Sequence, residues 1–397
     1  MSTRHFDTLV VGGGIGGLGT ALALARTGRP VRLVEQAAAF TEVGAGLQLG
    51  PNATRAFDRL GVFDELTAIA VHPRRAVVRD AVTADVLTEL DFGDAFRRRY
   101  GYPYLVAHRS DILDILLRAC RSHDLITLET NRRVIAVTEH PNHAEVAFDD
   151  GTSYTAGLLV GADGIRSRVR QLLDTSEPVF SGHIAHRGAI AIGEIADEIS
   201  TDDVALWIGP GIHLMQYPVR RGELYNQVAV YESPKFARGE SDWGSLEEFD
   251  QMFSIACPQV ADSLTRLDTS RAWPVYDREP ISDWSTDHSV LIGDAAHAML
   301  QYLGQGACQA LEDALELARS LETFPKDLGR AFKNYEQARV PLAVRCQTIA
   351  RPWGRTWHTD DPAMLALRNR VFRARAADDY TELDWLYLDR EPVLAAR

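Results

Sequence analysis

The chain has 397 residues, of which 46% are hydrophobic and 24% charged, and its net charge is −13 with the histidines neutral. This composition is typical of a globular protein of two or three domains, and the acidic balance argues against general binding to nucleic acid or to anionic membranes. No stretch approaches the roughly 20 apolar residues of a membrane span. The cysteines have neither zinc-ligand nor redox spacing, so we predict free thiols, no metal site and a cytoplasmic location. They are Cys120, Cys257, Cys308 and Cys346.

The chain opens with a strand, a glycine turn, a helix and a second strand. Phe6–Val11 is a short apolar run with β-branched residues, which favours a strand. Leu18–Thr27 is rich in alanine and leucine, which favour a helix, and Gly28 follows as a stop signal. Pro30–Glu35 reads as the second strand. The order predicts a βαβ unit.

The turn of this unit has the pattern GxGxxG. Gly12 allows the tight bend, Gly14 lets the backbone approach a pyrophosphate, and Gly17 lets the helix pack against the strand. The helix N-terminus then faces the phosphates with its partial positive charge. Glu35, about 20 residues further on, is placed to bind ribose hydroxyls. We predict a dinucleotide site for FAD or NAD, since a glutamate there disfavours a 2′-phosphate; a purely structural turn is the alternative.

The rest of the chain is predicted to mix helices with short strands, without repeats. Hydrophobic spacing and turn residues define these segments. The predicted helices cover 108–122, 245–270, 306–322 and 328–350, and the predicted strands lie within 132–160, 180–232 and 289–292. The tail from Pro352 is rich in Trp, Tyr and Arg, and it either caps a domain or forms a partner surface.

Two further motifs decide which dinucleotide is bound. GADGIRS occupies Gly161–Ser167, and GDAAH occupies Gly293–His297, followed by GQG at Gly304–Gly306. Together with the first glycine turn, their order and spacing resemble the class A flavoprotein aromatic hydroxylases, the family of para-hydroxybenzoate and salicylate hydroxylases. The resemblance spans nearly the whole chain. It implies an α/β fold with a Rossmann-like FAD-binding domain and an interleaved antiparallel-sheet substrate domain, FAD as cofactor, and NADH or NADPH as a transient co-substrate.

The resemblance also assigns the remaining FAD contacts. They are Gly46, Leu47, Arg109, Asp163, Asp294, Leu303 and Gly304. Asp294 follows a predicted buried strand, where an acidic side chain can accept a hydrogen bond from a ribityl hydroxyl. The amides near Leu303 lead into a helix whose positive end would face the N1–C2=O edge of the flavin. A solvated charge at Arg109 and a plain loop at 44–48 are the alternatives.

Within the family, the resemblance is greatest to the 3-hydroxybenzoate 6-hydroxylases. It rests on Glu42–Gln48, His213–Pro218, Trp273–Pro280 and Leu300–Leu303. With a period of two, His213 and Tyr217 point to the same face of a strand. The resemblance implies that His213 and Gln301 are catalytic and flank the substrate hydroxyl, and that Tyr217 lines the same pocket. On pattern alone, a satisfied sheet histidine is the stronger reading of His213.

These observations predict an enzyme that hydroxylates a hydroxybenzoate-like phenolic acid with NAD(P)H and O2, through a flavin C4a-hydroperoxide. His213 would accept the phenol proton, and Arg187 or Arg220 would bind the carboxylate. The pair Ala298–Met299 replaces a Pro-Pro pair of the family, so the substrate is less well defined than the reaction. Decarboxylative salicylate-type hydroxylation, an FAD oxidase or dehydrogenase, and a flavin-binding sensor stay open as alternatives.

Motif order also suggests domain limits. We predict an FAD-binding domain from residues 1–75, 100–180 and 275–345, a substrate domain from 76–99 and 181–274, and a C-terminal tail over 346–397. The predicted partners are the small phenolic acid and O2. A homodimer is left open.

Overall fold

The computed structural model describes residues 4–41, 44, 46–195 and 200–389. Its strands are β1 Arg4–Val11, β2 Val31–Val34, β3 Gly46–Leu49, β4 Arg75–Asp80, β5 Val86–Asp91, β6 Leu105–His108, β7 Ile126–Glu129, β8 Val134–His140, β9 His143–Phe148, β10 Ser153–Gly161, β11 Val179–Ala191, β12 Asp203–Gly209, β13 Ile212–Val219, β14 Leu224–Glu232, β15 Trp273–Asp277 and β16 Ser289–Leu291.

Helices alternate with these strands along much of the chain. They are α1 Ile15–Arg26, α2 Pro51–Arg59, α3 Phe63–Ile69, α4 Asp94–Tyr100, α5 Arg109–Arg121, α6 Pro234–Ala237, α7 Leu246–Phe253, α8 Pro258–Leu264, α9 Asp294–His297, α10 Gly306–Thr323, α11 Leu328–His358, α12 Pro362–Ala374 and α13 Asp384–Tyr387. Short 3-10 turns include Gln301–Leu303, between α9 and α10.

The first sheet has a parallel core. Its order is β7-β2-β1-β10-β9-β8, and β16 pairs with the C-terminal half of β10. Strands β7, β2, β1, β10 and β16 are parallel, whereas β8 and β9 add an antiparallel hairpin. Helix α1 is buried along nearly its whole length and packs against α10 and α5. The carboxyl ends of β1 and β16 therefore lead into the two glycine motifs, at the edge where α/β sheets bind ligands.

The second sheet is mostly antiparallel. Its order is β15-β11-β14-β13-β12-β4-β5, with β4 and β12 as a parallel pair. Its outer face packs on α7 and α8, and its inner face faces the turn at Gln301–Leu303 and the end of α11. The small β3–β6 ladder lies beside β13. The predicted α/β fold with an interleaved antiparallel sheet is confirmed; the exact domain limits stay a prediction.

Helix α11 is longer than the predicted 328–350, because it continues through Pro352 to His358. An interior proline disfavours a helix by roughly 3 kcal/mol, but the turns beyond it bury Trp357 and His358 against the second sheet. The described part of the tail then packs back on the molecule, where Tyr380 and Tyr387 surround Phe96 on α4. Among the described helices, none is both long and apolar enough to cross a membrane.

Candidate functional site

The first glycine turn has no room for side chains. Gly12 has φ +109°, and a Cβ there would lie 2.3 Å from the carbonyl oxygen of Ala162. A Cβ on Gly17 would lie 1.9 Å from the Gly12 carbonyl oxygen. Gly14 is the N-cap of α1 and provides no capping side chain, so the first amides of the helix remain available to an anion. The turn is therefore a cradle in which the backbone itself can meet a diphosphate.

Glu35 is tied to this turn. One carboxylate oxygen accepts a hydrogen bond from the Gly13 amide at 2.7 Å, and the other accepts one from Ala37 at 2.8 Å. These bonds hold the carboxylate at the end of β2, beside the glycine turn. Glu35 is thus positioned for the predicted ribose contact, which stays a prediction.

The central motif meets the first turn through Ala162. The next residue, Asp163, accepts hydrogen bonds from the Ser167 hydroxyl at 2.5 Å and from the Arg168 and Val169 amides at 2.7 and 3.3 Å. Its carboxylate therefore shapes the turn that follows. The structure places Asp163 next to the cradle, but most of its hydrogen-bonding capacity is used locally.

Asp294 starts α9 and is exposed, next to the start of α10. A Cβ on Gly306 would lie 3.8 Å from its Oδ1. The nearby buried charges use a different carboxylate: Asp313 pairs with His297 at 2.6 Å and with Arg339 at 2.7 Å, and it also accepts from the Gly293 amide. Asp294 is consequently left free to face a ligand beside the N-terminus of α10.

A second set of predicted FAD contacts lies across from α10. The Gly46 amide donates to Asn226 Oδ1 at 2.7 Å, and a Cβ on Gly46 would lie 2.4 Å from the Tyr217 ring. Leu47 follows on β3. Gly304 adopts φ +62°, and a Cβ there would lie 3.8 Å from the Gln48 Cβ. Strand β3 and the turn ending at Leu303 and Gly304 therefore face each other, as a ring-binding slot requires.

Arg109 begins α5 beside this slot. A Cβ on Gly44 would lie 3.6 Å from the Arg109 Cδ. Burial lowers the pKa of Arg187, and the nearby positive charge of Arg109 lowers it further. Glu42, Val43 and Ala45, on which part of the resemblance rests, lie outside the described residues.

The inner face of the second sheet carries the predicted catalytic side chains. His213, Met215 and Tyr217 alternate inward along β13. Across the ladder, Val228 pairs with both Met215 and Arg187. Since residues four apart in a strand are separated by roughly 13 Å, His213 and Tyr217 stand at opposite ends of an apolar floor wide enough for one aromatic ring.

The two candidate arginines differ in their surroundings. Arg220 is bound to Asp111 at 2.8 Å and is partly exposed. Arg187 donates through Nη2 to Gln301 Oε1 at 3.3 Å, whereas its buried Nε has no hydrogen-bond partner among the described residues. Arg187, and not Arg220, lies with Gln301 on the inner face. An unpartnered buried donor at this place suits an anionic ligand.

The sequence did not reveal the partners of His213. Its Nδ1 lies 2.7 Å from His358 Nε2, and His358 Nδ1 lies 3.2 Å from Glu232 Oε1. His183 Nε2 is 3.3 Å from the same carboxylate oxygen. These atoms come from β13, α11, β14 and β11, up to 175 residues apart, so no local motif could have identified them. Hydrogen bonds hold the three histidine rings and the Glu232 carboxylate together.

The glycine cradle beside the first sheet and the slot beside the second sheet are together typical of a flavoprotein with a substrate-binding sheet. Residues 5–348 match the family model described as an FAD binding domain, and the chain belongs to this FAD-binding family.

Individual relatives sharpen that statement. The chain is 37% identical over 384 residues to 3-hydroxybenzoate 6-hydroxylase of Klebsiella oxytoca, covering 96% of each. It is 35% identical over 394 residues to a 3-amino-4-hydroxybenzoate 2-monooxygenase of Streptomyces platensis, covering 98% of this chain and 97% of the relative.

Solved structures share the fold. HpxO of Klebsiella pneumoniae, complexed with FAD and uric acid, has a TM-score of 0.82 at 23% identity and 94% coverage of both chains. A salicylate hydroxylase substrate complex has a TM-score of 0.74 at 24% identity, covering 98% of this chain and 100% of the other. The predictions of FAD and of an FAD-dependent aromatic-ring monooxygenase are confirmed.

Proposed function

We propose that the protein hydroxylates a hydroxybenzoate-type phenolic acid, with 3-hydroxybenzoate as its substrate and position 6 as the site of attack. The observation that carries this proposal is the inner face of the second sheet. The basic side chain of His213, an apolar floor at Met215 and Val228, and the buried Arg187 lie together there, and they suit a phenol, its ring and a carboxylate. The similarity of the chain to 3-hydroxybenzoate 6-hydroxylases supports the choice of substrate.

FAD fits the site. A Cβ in the glycine cradle or at Gly46 would collide with neighbouring atoms, so the backbone is bare where the cofactor would have to approach it closely. Gly12, Gly14, Gly17 and Glu35 would hold its diphosphate and adenosine side. The ribityl and ring contacts would come from Arg109, Asp163, Asp294, Gly46, Leu47, Leu303 and Gly304. When bound and reduced by NADH or NADPH, FAD supplies the activation of O2.

The protein's own part is to bind, orient and deprotonate the substrate. Arg187 binds the carboxylate, Tyr217 bounds the far end of the ring, and Gln301 hydrogen-bonds near the reacting edge. His213 accepts the phenol proton at Nε2, which raises the electron density of the ring. Burial lowers the pKa of His213 well below 6.5, and His358 and His183 lower it further, so the ring is neutral and able to accept a proton at neutral pH.

The test is substrate-stimulated oxidation of NADH and NADPH by the purified yellow protein. The panel contains 3-hydroxybenzoate, salicylate, 4-hydroxybenzoate, 3-amino-4-hydroxybenzoate and benzoate, with products identified by mass spectrometry. We expect 3-hydroxybenzoate to yield 2,5-dihydroxybenzoate, with one oxygen added and no CO2 released. Release of CO2 from salicylate would favour the decarboxylative alternative, and oxidation of an amine without NAD(P)H would favour an oxidase.

We also propose that the enzyme is a cytoplasmic homodimer. All four cysteines are free and buried, as suits a reducing compartment. On α12, Met364, Leu367 and Val371 are 50%, 55% and 58% exposed. Their spacing places them along one side of the helix, and such an apolar stripe on a surface is typical of an interface.

A further inference from the structure

We propose that Glu232 and His358 are positioning residues for the hydroxylation, because together they keep the lone pair of His213 Nε2 turned toward the phenol and offset the positive charge that His213 acquires. This inference rests on the proposed function, in which His213 is the base. It adds two residues that lie outside every motif found in the sequence.

The backbone fixes this arrangement. The Gly211 amide donates to the His358 carbonyl at 2.9 Å, and the Glu232 amide donates to the Gly211 carbonyl at 2.8 Å. The end of α11 is thereby bound to the start of β13 and the end of β14. His358 and His213 are almost fully buried, at 3% and 2% exposure, while the Glu232 side chain is 46% exposed. The chain of side chains therefore runs from the interior to the surface.

The hydrogen bonds select one tautomer for each ring. An ionised carboxylate only accepts, so His358 Nδ1–H donates to Glu232. His358 Nε2 is then an acceptor, and His213 must donate to it through Nδ1–H. His213 Nε2 consequently carries a lone pair, and it makes no hydrogen bond to the described residues. This logic is that of a carboxylate that orients a catalytic histidine, extended by one imidazole.

His183 offers a competing arrangement that Glu232 suppresses. His183 Nε2 lies 3.1 Å from His358 Nδ1, and a proton donated along this contact would reverse both tautomers and leave Nε2 of His213 protonated. Glu232 accepts from both rings, with its Oε1 3.3 Å from His183 Nε2 and 3.2 Å from His358 Nδ1. The carboxylate is ionised, because hydrogen bonds from His183 and His358 outweigh burial and hold the pKa of Glu232 at about 2.

The chemical step is a single proton transfer. The phenol O–H bond breaks, an N–H bond forms at His213 Nε2, and no electrons are exchanged. The resulting imidazolium donates to His358, whose other nitrogen is bound to the negative Glu232. After hydroxylation His213 returns the proton to the oxygen of the product, so that it ends the cycle neutral.

Other charged or titratable groups also surround this pair, and they enter any pH profile. Tyr302, from the turn before α10, packs its ring against His213 and His358. Arg368, on α12, lies close enough to help lower the pKa of His358, and Asp80 on β4 pairs with it at 3.9 Å. Because Asp80 pairs with Arg368, Glu232 is the carboxylate placed to offset the positive charge of His213.

The experiment compares His358→Leu, Glu232→Gln and Glu232→Asp with a control, His186→Leu. His186 is an equally buried histidine on the other face of the same sheet, beside Phe249. We expect the first two variants to keep FAD and bind substrate, but to lose about tenfold or more in kcat near pH 7. Activity should recover as the pH approaches the pKa of the phenol, or with a fluorinated hydroxybenzoate whose phenol is more acidic. Glu232→Asp should retain part of the wild-type activity, and His186→Leu should match the wild type.

A readout independent of turnover is 15N NMR of histidine-labelled protein. The wild type should show His213 protonated at Nδ1 and unprotonated at Nε2, and Glu232→Gln should change that tautomer. Wild-type hydroxylation with unaltered kcat and pH profile in His358→Leu and Glu232→Gln would overturn this inference alone. So would a loss that neither high pH nor an acidic phenol restores, or His213 protonated at Nε2. A wild type that turns over no phenolic acid would instead refute the proposed function.

Discussion

His213 is a buried imidazole whose proposed role is that of a neutral base, and this role sets the behaviour expected of its variants. Because its pKa is lowered well below 6.5 by burial, protonation of the base should reduce kcat/KM only below pH 6.5, and the rate should stay level toward neutral pH. Replacing His213 by Ala removes the acceptor, and we expect hydroxylation to fall by about 10²-fold or more. FAD content should be unchanged. Hydroxylation rates measured as a function of pH test both expectations. An unchanged rate in His213→Ala would show that another group is the base.

A different outcome is expected for Arg187, because its proposed role is to bind the substrate carboxylate. A hydrogen bond to a charged group contributes about 1.5–3 kcal/mol, so Arg187→Met should lower kcat/KM for hydroxybenzoate by about 10- to 100-fold. A phenol without a carboxylate should lose much less. Arg220→Met is the matched control, because the Arg220 guanidinium is bound to Asp111. Equal losses for both kinds of substrate would assign Arg187 a structural role.

At the scale of elements, the turn between β1 and α1 depends on Gly12. Gly12→Ala would place a methyl group 2.3 Å from a carbonyl oxygen in a backbone conformation with φ +109°, which favours glycine. We expect the variant to purify without FAD and to show no flavin absorbance on reconstitution. Gly193→Ala is the control, because a Cβ there has no neighbour within 4 Å. Normal FAD content in Gly12→Ala would refute the cradle.

Helices α9, α10 and α11 are joined by the buried Asp313, whose pKa is held at about 2 because His297 and Arg339 outweigh burial. A carboxyl group with a lowered pKa stabilises the fold above its unfolded value of 3.8, and this stabilisation is lost as the pH falls toward 2. Asp313→Asn removes the negative charge with which His297 and Arg339 pair. We therefore expect the free energy of unfolding to fall by about 3–5 kcal/mol.

Chemical denaturation between pH 3 and 7 tests this expectation. The stability of Asp313→Asn should depend less on pH below about pH 4 than that of the wild type. Glu316→Gln on α10 is the control, since Glu316 pairs with the partly exposed Arg319 and such pairs contribute about 1 kcal/mol or less. A loss no larger than that of the control would contradict a structural role for the buried pair.

The sequence predicted elements whose signals are local. The βαβ unit, the helix at 108–122 and the strand before Gly293 follow from glycine positions and hydrophobic periodicity within a few residues. The end of α11 was predicted wrongly at 350, because Pro352 is a local stop signal that the burial of Trp357 overrides. His358 and Glu232 were missed for a related reason: hydrogen bonds between distant strands and helices leave no local pattern.

At the scale of the whole molecule, the tail packs against both the second sheet and α4. The end of α11 brings His358 to the inner face of the second sheet, while Tyr380 and Tyr387 pack on α4. The tail was predicted to be either a cap or a partner surface. The parts that carry His358, Tyr380 and Tyr387 pack on the rest of the molecule, as a cap does. Its α12 leaves three apolar side chains exposed on another face, and the proposed partner surface lies there.

That exposed stripe gives the last prediction, which concerns assembly. If Met364, Leu367 and Val371 form the centre of a symmetric dimer, Leu367→Glu places like charges against each other and removes apolar contact area. We expect the wild type to sediment as a dimer and Leu367→Glu as a monomer at micromolar concentration. Ile135→Glu, at a similarly exposed residue on β8, should stay dimeric. Because the stripe is not part of the site, kcat should change little in the monomer. A monomeric wild type, or a variant that remains dimeric, would rule out this face as the interface.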